Sequence, residues 1–155
     1  MKYFKCAALC MLATFLHAAN VEVTADKFFA DETKRISVFT GNVKVLKESD
    51  KLTANKVTID FDEKKQPVRY IALGNAKVNM TMNAKKYYGE AEKMTYEPGS
   101  STYILEKKAF LHDLETDKKV YGDYIRVEQL NGHYVVDGKE GTPVKFIFKV
   151  EDAKK

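Results

Sequence analysis

Apolar and polar residues alternate with a period of two along most of the chain beyond residue 20. Val21-Glu22-Val23-Thr24-Ala25 alternates, as do Val43-Lys44-Val45 and Val57-Thr58-Ile59-Asp60-Phe61. Ala76 to Met82, Met94-Thr95-Tyr96, Ile125-Arg126-Val127 and Phe146-Ile147-Phe148 repeat the pattern. Such alternation predicts strands with one apolar and one wetted face, and residues suited to a pleated surface supply most positions. Turn chemistry interrupts the runs. Asn131-Gly132, flanked by Val127 and Tyr134, predicts a tight hairpin with positive φ at both turn residues. Glu97-Pro98-Gly99-Ser100 predicts a type II turn with the positive φ at Gly99. Asp31 to Lys34, Glu48 to Asp50, Asp62 to Pro67 and Thr116 to Lys119 read as charged loops. Asn83 to Lys93 fits a helical period loosely, but Gly89 interrupts it and the repeat described next requires strand. Short strands and frequent turns predict an all-β fold, an antiparallel sandwich or open roll.

A two-part signature recurs through these strands. Its first part is a small residue, a polar residue and usually Lys, running to an acidic stop: Ala25-Asp26-Lys27, Ala54-Asn55-Lys56, Ala91-Glu92-Lys93, and the degenerate Gly122-Asp123-Tyr124. Its second part is Gly-Asn-x-Lys-Val, at Gly41 to Val45 and Gly74 to Val78. Lys107-Lys108-Ala109-Phe110-Leu111 is a worn copy, and Gly138 holds the fourth slot. The parts lie 16, 20, 16 and 16 residues apart. A recurring spacing of this kind predicts stacked supersecondary units sharing one continuous core.

The N-terminus changes the picture. Lys2 and Lys5 precede an uninterrupted run of small and apolar residues, Cys6 to Leu16, and His17-Ala18-Ala19 offers small residues for cleavage. This is the layout of a secretory signal, and 11 residues fall short of the ~20 that span a bilayer. Residues 1–19 therefore read as a cleaved signal peptide, with the cut after Ala18 or Ala19. Residues 20–150 read as a single domain and 151–155 as a disordered tail. Both cysteines lie in the signal, which leaves no disulfide or thiol chemistry in the remainder. Removing Lys2 and Lys5 from 26 basic residues leaves 24 against 22 acidic ones, too balanced and too dispersed for a nucleic-acid partner.

No catalytic or metal constellation stands out. His112-Asp113-x-Glu115 resembles a ligand cluster, but no third ligand has supporting spacing, and it reads as a solvated loop. There is no nucleophile elbow or Ser-His-Asp neighbourhood. A jelly-roll enzyme of the cupin type would need more than the two histidines outside the signal, so the reading is of a non-enzyme without metal or cofactor. A sugar-binding or surface β module leaves the repeat unexplained.

The blocks Thr40-Gly41-Asn42-Val43 and Leu52-Thr53-Ala54-Asn55-Lys56-Val57, with the later copies, resemble the OstA-like family of periplasmic lipopolysaccharide transport proteins, over Val21 to about Val136. The resemblance implies an open, twisted β-jelly roll of short antiparallel strands, located in the periplasm. It implies an apolar groove for the lipid A portion of lipopolysaccharide, lined by Val21, Val23, Val45, Ile59, Phe61, Val78, Met80, Met94, Tyr96, Tyr103, Leu105, Ile125 and Val127. From alternation alone these residues would close on one another as a sandwich core. The resemblance also implies head-to-tail self-association and partners like LptC at the inner membrane and the N-terminal domain of LptD at the outer membrane. Strands at the two ends, with Val21 and Val23 in one and Val144, Phe146, Ile147 and Phe148 in the other, are the expected pairing edges. Retention of the N-terminal segment would instead give an LptC-like anchored component.

Overall fold

The computed structural model describes residues 19–152; the expected signal up to Ala18 and the end of the expected tail lie outside the described residues. The strands are β1 (Val21–Thr24), β2 (Lys27–Asp31), β3 (Ile36–Lys47), β4 (Asp50–Phe61), β5 (Pro67–Met82), β6 (Lys85–Glu97), β7 (Thr102–Asp113), β8 (Lys119–Glu128), β9 (His133–Asp137) and β10 (Lys145–Ile147). All pair antiparallel in one sheet, ordered β1-β3-β4-β5-β6-β7-β8-β10. β2 joins β3 beside β1, and β9 joins β8 beside β10. β1 with β2 is thus one rung broken in the middle, and β9 with β10 is another.

The middle rungs are longer than the alternation suggested because the signature residues bend strands instead of ending them. Pairing register shifts between Thr40 and Val43, Thr53 and Lys56, Leu73 and Ala76, Glu90 and Lys93, and Glu106 and Ala109. These are β-bulges, which kink a strand and raise its twist. In β3, β5 and β7 the bulge is a pair of left-handed residues: Gly41 and Asn42 (φ 83° and 47°), Gly74 and Asn75 (81° and 48°), Lys107 and Lys108 (66° and 51°). Glycine is required at the first two sites on a second ground. A Cβ at Gly41 would lie 2.5 Å from Asp26 Oδ2, and one at Gly74 2.5 Å from Asn55 Nδ2. The worn copy keeps the same backbone.

The polar member of each first part reaches its second part. Asn42 Nδ2 donates to Asp26 Oδ2 at 3.0 Å. Lys108 pairs with Glu92 at 3.4 Å and Lys139 with Asp123 at 3.2 Å. Lys108 thereby replaces the amide of Asn42 with an ion pair. The fourth kink is widened into the connector between β9 and β10, where the left-handed residue is Gly141 and not Gly138.

Bending along this row folds the sheet into two facing layers. The first layer holds β1, β10 and the adjoining halves of β3 to β8; the second holds β2, β9 and the other halves. Next to the kink the first layer presents Val43, Ala54, Ala76, Ala91, Ala109 and Gly122, small side chains that let the layers approach. Beyond it come Val45, Leu52, Val78, Leu111 and Val120. The second layer presents Val57, Ala72, Met94, Leu105 and Ile125, then Ile59, Tyr70, Tyr96, Tyr103 and Val127, each set on directly paired positions. All of these apolar residues are buried in one core.

Three turn expectations change. Glu128 pairs with His133, so a four-residue loop, not Asn131-Gly132 alone, joins β8 to β9, and only Gly132 is left-handed. Likewise Glu97 pairs with Thr102, and Ser101 at φ 49° takes the left-handed position expected of Gly99. The two-residue turn with positive φ at both positions is Asn83-Ala84 (51° and 59°), the conformation that matches strand twist. The segment from Asn83 to Lys93 is otherwise strand, as the repeat required. His112 and Asp113 are not loop residues either: both end β7, and Asp113 is buried. Burial alone would raise the Asp113 carboxyl. The hydroxyl and N–H of Thr116 and the N–H of Glu115 outweigh it and hold the group below its ordinary value.

The C-terminal strand is shorter than the run from Val144 to Val150. β10 pairs only with Lys119 to Tyr121 of β8, and Pro143 precedes it. A clip beyond the strand holds it: Asp117 accepts Lys149 Nζ at 2.8 Å and His112 Nε2 at 2.7 Å. Those bonds, with Lys119 nearby, hold the Asp117 carboxyl down to about 2.

Two outcomes follow from the kinks and the clip. Gly74→Val should destabilise the domain by about 1–3 kcal/mol through left-handed strain and collision with Asn55; Lys107→Gly should stabilise it by ~1 kcal/mol. Denaturant midpoints at constant m-value check both. A depressed carboxylate stabilises above its unfolded value and loses that contribution as pH falls through the folded value. The protection factors of the β10 amides, corrected for intrinsic exchange, should therefore fall between pH 4 and 2, and Asp117→Asn should lower them already at pH 7.

Candidate functional site

The interior between the layers is the candidate site, and the two layers cross it out of step. Away from the kinked apex, each first-layer strand faces a second-layer strand about three further along. Lys47 of β3 meets Tyr96 of β6, and Asp50 of β4 meets Tyr103 of β7. The β5–β6 turn meets the β8–β9 loop, where Gly132 closes on Asn83. Sheet twist produces this offset. It leaves an uncovered half-face at each end.

At the β2 end the second layer overhangs. Phe28 is 62% exposed and packs on Phe39 with tilted rings whose centroids lie 4.9 Å apart. An open cleft of about 350 Å³ beside them is lined by Ala30, Ser37, Phe61 and the charged β2–β3 and β4–β5 loops. At the β10 end the first layer overhangs. Phe146, opposite the buried Val120, is 48% exposed and stacks on Phe148 at 5.4 Å.

The residues expected to line a groove fall together on this interior. Val45, Ile59, Val78, Met80, Met94, Tyr96, Tyr103, Leu105, Ile125 and Val127 are buried in the core. Val23 and Phe61 are partly buried against it, and Val21 is exposed at the β1 edge. The middle of the interior is filled by these side chains: beside Val21, Val45, Leu52 and Tyr70 the free space is about 20 Å³, room for about one water. Of the expected edge residues, Val21 and Val23 lie in β1, while Phe146 and Ile147 lie in β10. Val144 and Phe148 flank β10 outside the ladder.

The mouth of the interior, opposite the kinks, is polar. Tyr70, Tyr96 and Tyr103 sit on directly paired positions of β5, β6 and β7, with centroids 5.9 and 4.4 Å apart. Lys47 Nζ donates to the Tyr96 hydroxyl at 3.2 Å. Tyr103 donates to Asp50 Oδ2 at 2.9 Å, and Gln129 Nε2 to the same oxygen at 3.1 Å. Burial, and then the Asp50 carboxylate, push the Tyr103 phenol well above its ordinary value, so it remains a donor. Sequence reasoning placed Tyr96 and Tyr103 on the interior but missed Lys47, Asp50 and Gln129, because Asp50 reads as turn chemistry and Gln129 carries no pattern. It also missed Phe28-Phe29, although adjacent aromatics on opposite faces of one strand cannot both be core.

The described residues include no cluster able to hold a metal ion and no helix long and apolar enough to cross a membrane.

No curated protein matches the chain. Among solved structures the fold is similar to that of LptH from Pseudomonas aeruginosa, described as the LptA homologous periplasmic component of the conserved lipopolysaccharide transport device. The TM-score is 0.76 at 18% identity, covering 84% of this chain and 96% of that one. This likeness supports the open antiparallel β-jelly roll. The family described as LptA/(LptD N-terminal domain) LPS transport protein matches residues 22–133, nearly the whole repeat, and is not a family of enzymes. With its bulged rungs, two-layered interior and overhanging ends, the chain belongs to the LptA/LptD N-terminal domain family of lipopolysaccharide transport proteins.

Proposed function

We propose that this protein carries lipopolysaccharide through the periplasm by shielding the lipid A acyl chains between its two layers, and that copies stack end to end to bridge the membranes. The overhanging half-faces support the reading most directly. The first-layer overhang at Phe146 and Phe148 and the second-layer overhang at Phe28 and Phe39 are complementary. Placing β10 beside β1 of a second copy, and β9 beside its β2, would continue both layers and bring the two overhangs face to face. Such contact is head-to-tail and non-closing, with strand addition at edges left unpaired. Lys145 and Lys149, which could have blunted the edge, are folded back onto Tyr121 and Asp117.

The energetic need is plain. Each acyl methylene exposed to water costs about 0.8 kcal/mol, so one 14-carbon chain costs on the order of 10 kcal/mol. Apolar contact is non-directional and tolerates sliding, and Met80, Met82 and Met94 adapt to irregular tails. The end partners in this reading are an LptC-like protein at the inner membrane and an LptD-like N-terminal domain at the outer membrane. The signal is removed on export by a cut after Ala18 or Ala19; N-terminal sequencing of periplasmic protein should begin at Ala19 or Asn20, and intact Met1 in the inner membrane would make the chain an LptC-like anchor.

Photo-crosslinkers at the inward Val23, Val78 and Tyr96 should label lipopolysaccharide, while Lys44 and Lys77 on the outer surface should not. Equal labelling of both sets would remove the groove. Phe28→Asp or Phe146→Asp should weaken self-association by about 2 kcal/mol, roughly 30-fold, read by light scattering at unchanged circular dichroism. Ile147→Pro should do the same through the β10 edge. Stacks of undiminished size in all three variants would place the contact elsewhere.

A further inference from the structure

The Lys and the acidic stop of the repeated signature lie outside the core and make none of the kink contacts. The second layer shows where they go. Its strand halves are five residues deep, with the second and fourth side chains inward and the first, third and fifth outward. Lys27, Lys56 and Lys93 thus share one outward row beside the kinks. Asp31, Asp60, Glu97 and Glu128 share another beside the mouth. Between them runs a third outward row, each member directly paired with the next from β2 to β9. Phe29, Val38, Ile71, Ile104 and Val135 are its apolar members. Thr58 and Thr95 fill places between them, and Arg126 pairs with Glu128 at 3.2 Å. Val38, Ile71 and Ile104 are each 33 residues from the next, so the line recurs with the repeat.

Phe29 and Val135, at the two ends of the line, are 59% and 57% exposed. The outer face of the first layer carries no such line, since its rows run through Lys44 and Lys77 or through Lys51 and Asn79. Single exposed apolar residues need no partner, but a continuous line marks a contact surface. End-to-end stacking lengthens it. With β9 beside β2 of the next copy, the register that sets the inward Val136 next to Phe28 also sets Val135 next to Phe29. The flanks of the line carry matched charge. Three rungs have opposite signs on their two sides: Lys27 with Asp31, Lys56 with Asp60, and Lys93 with Glu97. On the others, Arg69, Glu106, Glu128 and Asp137 lie across from Leu73, Thr102, Tyr124 and His133. Lys27, Lys56, Asp31 and Glu97 take part in none of the ion pairs among the described residues.

We propose that this line joins two stacks side by side, each copy facing a second copy of this chain across a two-fold axis that runs along the line. The inference rests on the reading that copies stack end to end. The flanking charges select the arrangement. An axis along the line lays the mouth-side row of one copy over the kink-side row of the other. Asp31, Asp60 and Glu97 then meet Lys27, Lys56 and Lys93, in isologous contact. An axis across the line would set the stacks antiparallel and bring the two acidic rows together. A slip of one rung would set Arg69 against Lys93 and Glu97 against Glu106. The paired stacks therefore run in the same direction, and their mouths open on opposite sides, uncovered. Three outward rows span ~14 Å, and eight rungs span ~38 Å, which offers on the order of 500 Å² per copy. That is less than the ~800 Å² per partner of a standard stable interface. Single copies pair weakly, and repetition along the stack supplies the rest.

Each residue on such an axis meets its own counterpart, which single cysteines test. Val38→Cys, Ile71→Cys and Ile104→Cys are made one at a time, in full chain carrying Cys6→Ser and Cys10→Ser. Each should give crosslinked dimers with a thiol reagent spanning about 10 Å, the separation of packed sheets. Successive copies within one stack hold these positions ~38 Å apart, beyond its reach, and antiparallel stacks cannot crosslink all three. Lys44→Cys, on the first layer, should give none. Mass per unit length from small-angle scattering should be that of two stacks in the parent. It should fall to that of one in Ile71→Lys with Ile104→Lys, at unchanged circular dichroism. Lys56→Glu should lower the crosslinking of Ile71→Cys about fivefold, and Asp60→Lys in the same chain should restore it. Purified stacks of single thickness without crosslinks would give the line a different occupant and overturn the pairing, leaving the end-to-end reading intact. Absence of stacks in the parent protein would overturn that reading and the paired line together. Failure of Asp60→Lys to restore Lys56→Glu would remove the charge-set register.

Discussion

Everything in this molecule depends on a row of backbone kinks. A flat antiparallel sheet of eight rungs would have two exposed faces and nothing to bury one of them against. Bending each middle rung at a bulge lets the sheet supply its own second layer. The device is steric: two consecutive left-handed residues in alternate strands, opposed by a small and a polar residue in the strands between. Asn and Gly tolerate that conformation, and the i to i+16 bonds fix it. Lys107 and Lys108 show that the left-handed backbone is kept at the third kink even where glycine is not. The neighbouring rungs impose the kink, and an ion pair to Glu92 offsets part of its strain.

The interior this creates has two competing uses. Close packing of Val57, Val78, Leu105 and Ile125 stabilises the free protein. The same surface is the one available to an apolar cargo. A cargo that replaces side-chain contacts with acyl contacts changes the apolar burial little, because the hydrophobic effect counts area and not partners. In the function proposed above, the cost of loading would fall on the polar bonds at the mouth and on bending at the kinks, both of which are local.

Much of the architecture was legible in the sequence. Period-two alternation gave the strands and their inward faces correctly from Val43 to Val127, since one-sided burial leaves that signature in every rung. The two-part repeat marked the kink row, although its residues read as strand beginnings; a bulge and a turn draw on the same residues, and only pairing on both sides tells them apart. Turn types were misread at Gly99 and Asn131, where loop length, set by cross-strand register, overrode local preference. Groove and core remained inseparable because the same side chains serve as either. The hydrogen bonds at the mouth were not legible, although Tyr96 and Tyr103 read as inward positions. Asp50 and Gln129 are 79 residues apart, and nothing local to either records the other.

The kink pairs at residues 41, 74 and 107 carry one further consequence. They lie on equivalent rungs, two strands apart, each 33 residues from the next. A single-residue insertion in a rung would flip its inward face and misalign its kink with both neighbours. Insertion or removal of a whole hairpin of that length would leave every remaining register intact. The length of this fold is thus quantised in hairpins, and a longer or shorter interior is reached only in whole steps of that unit.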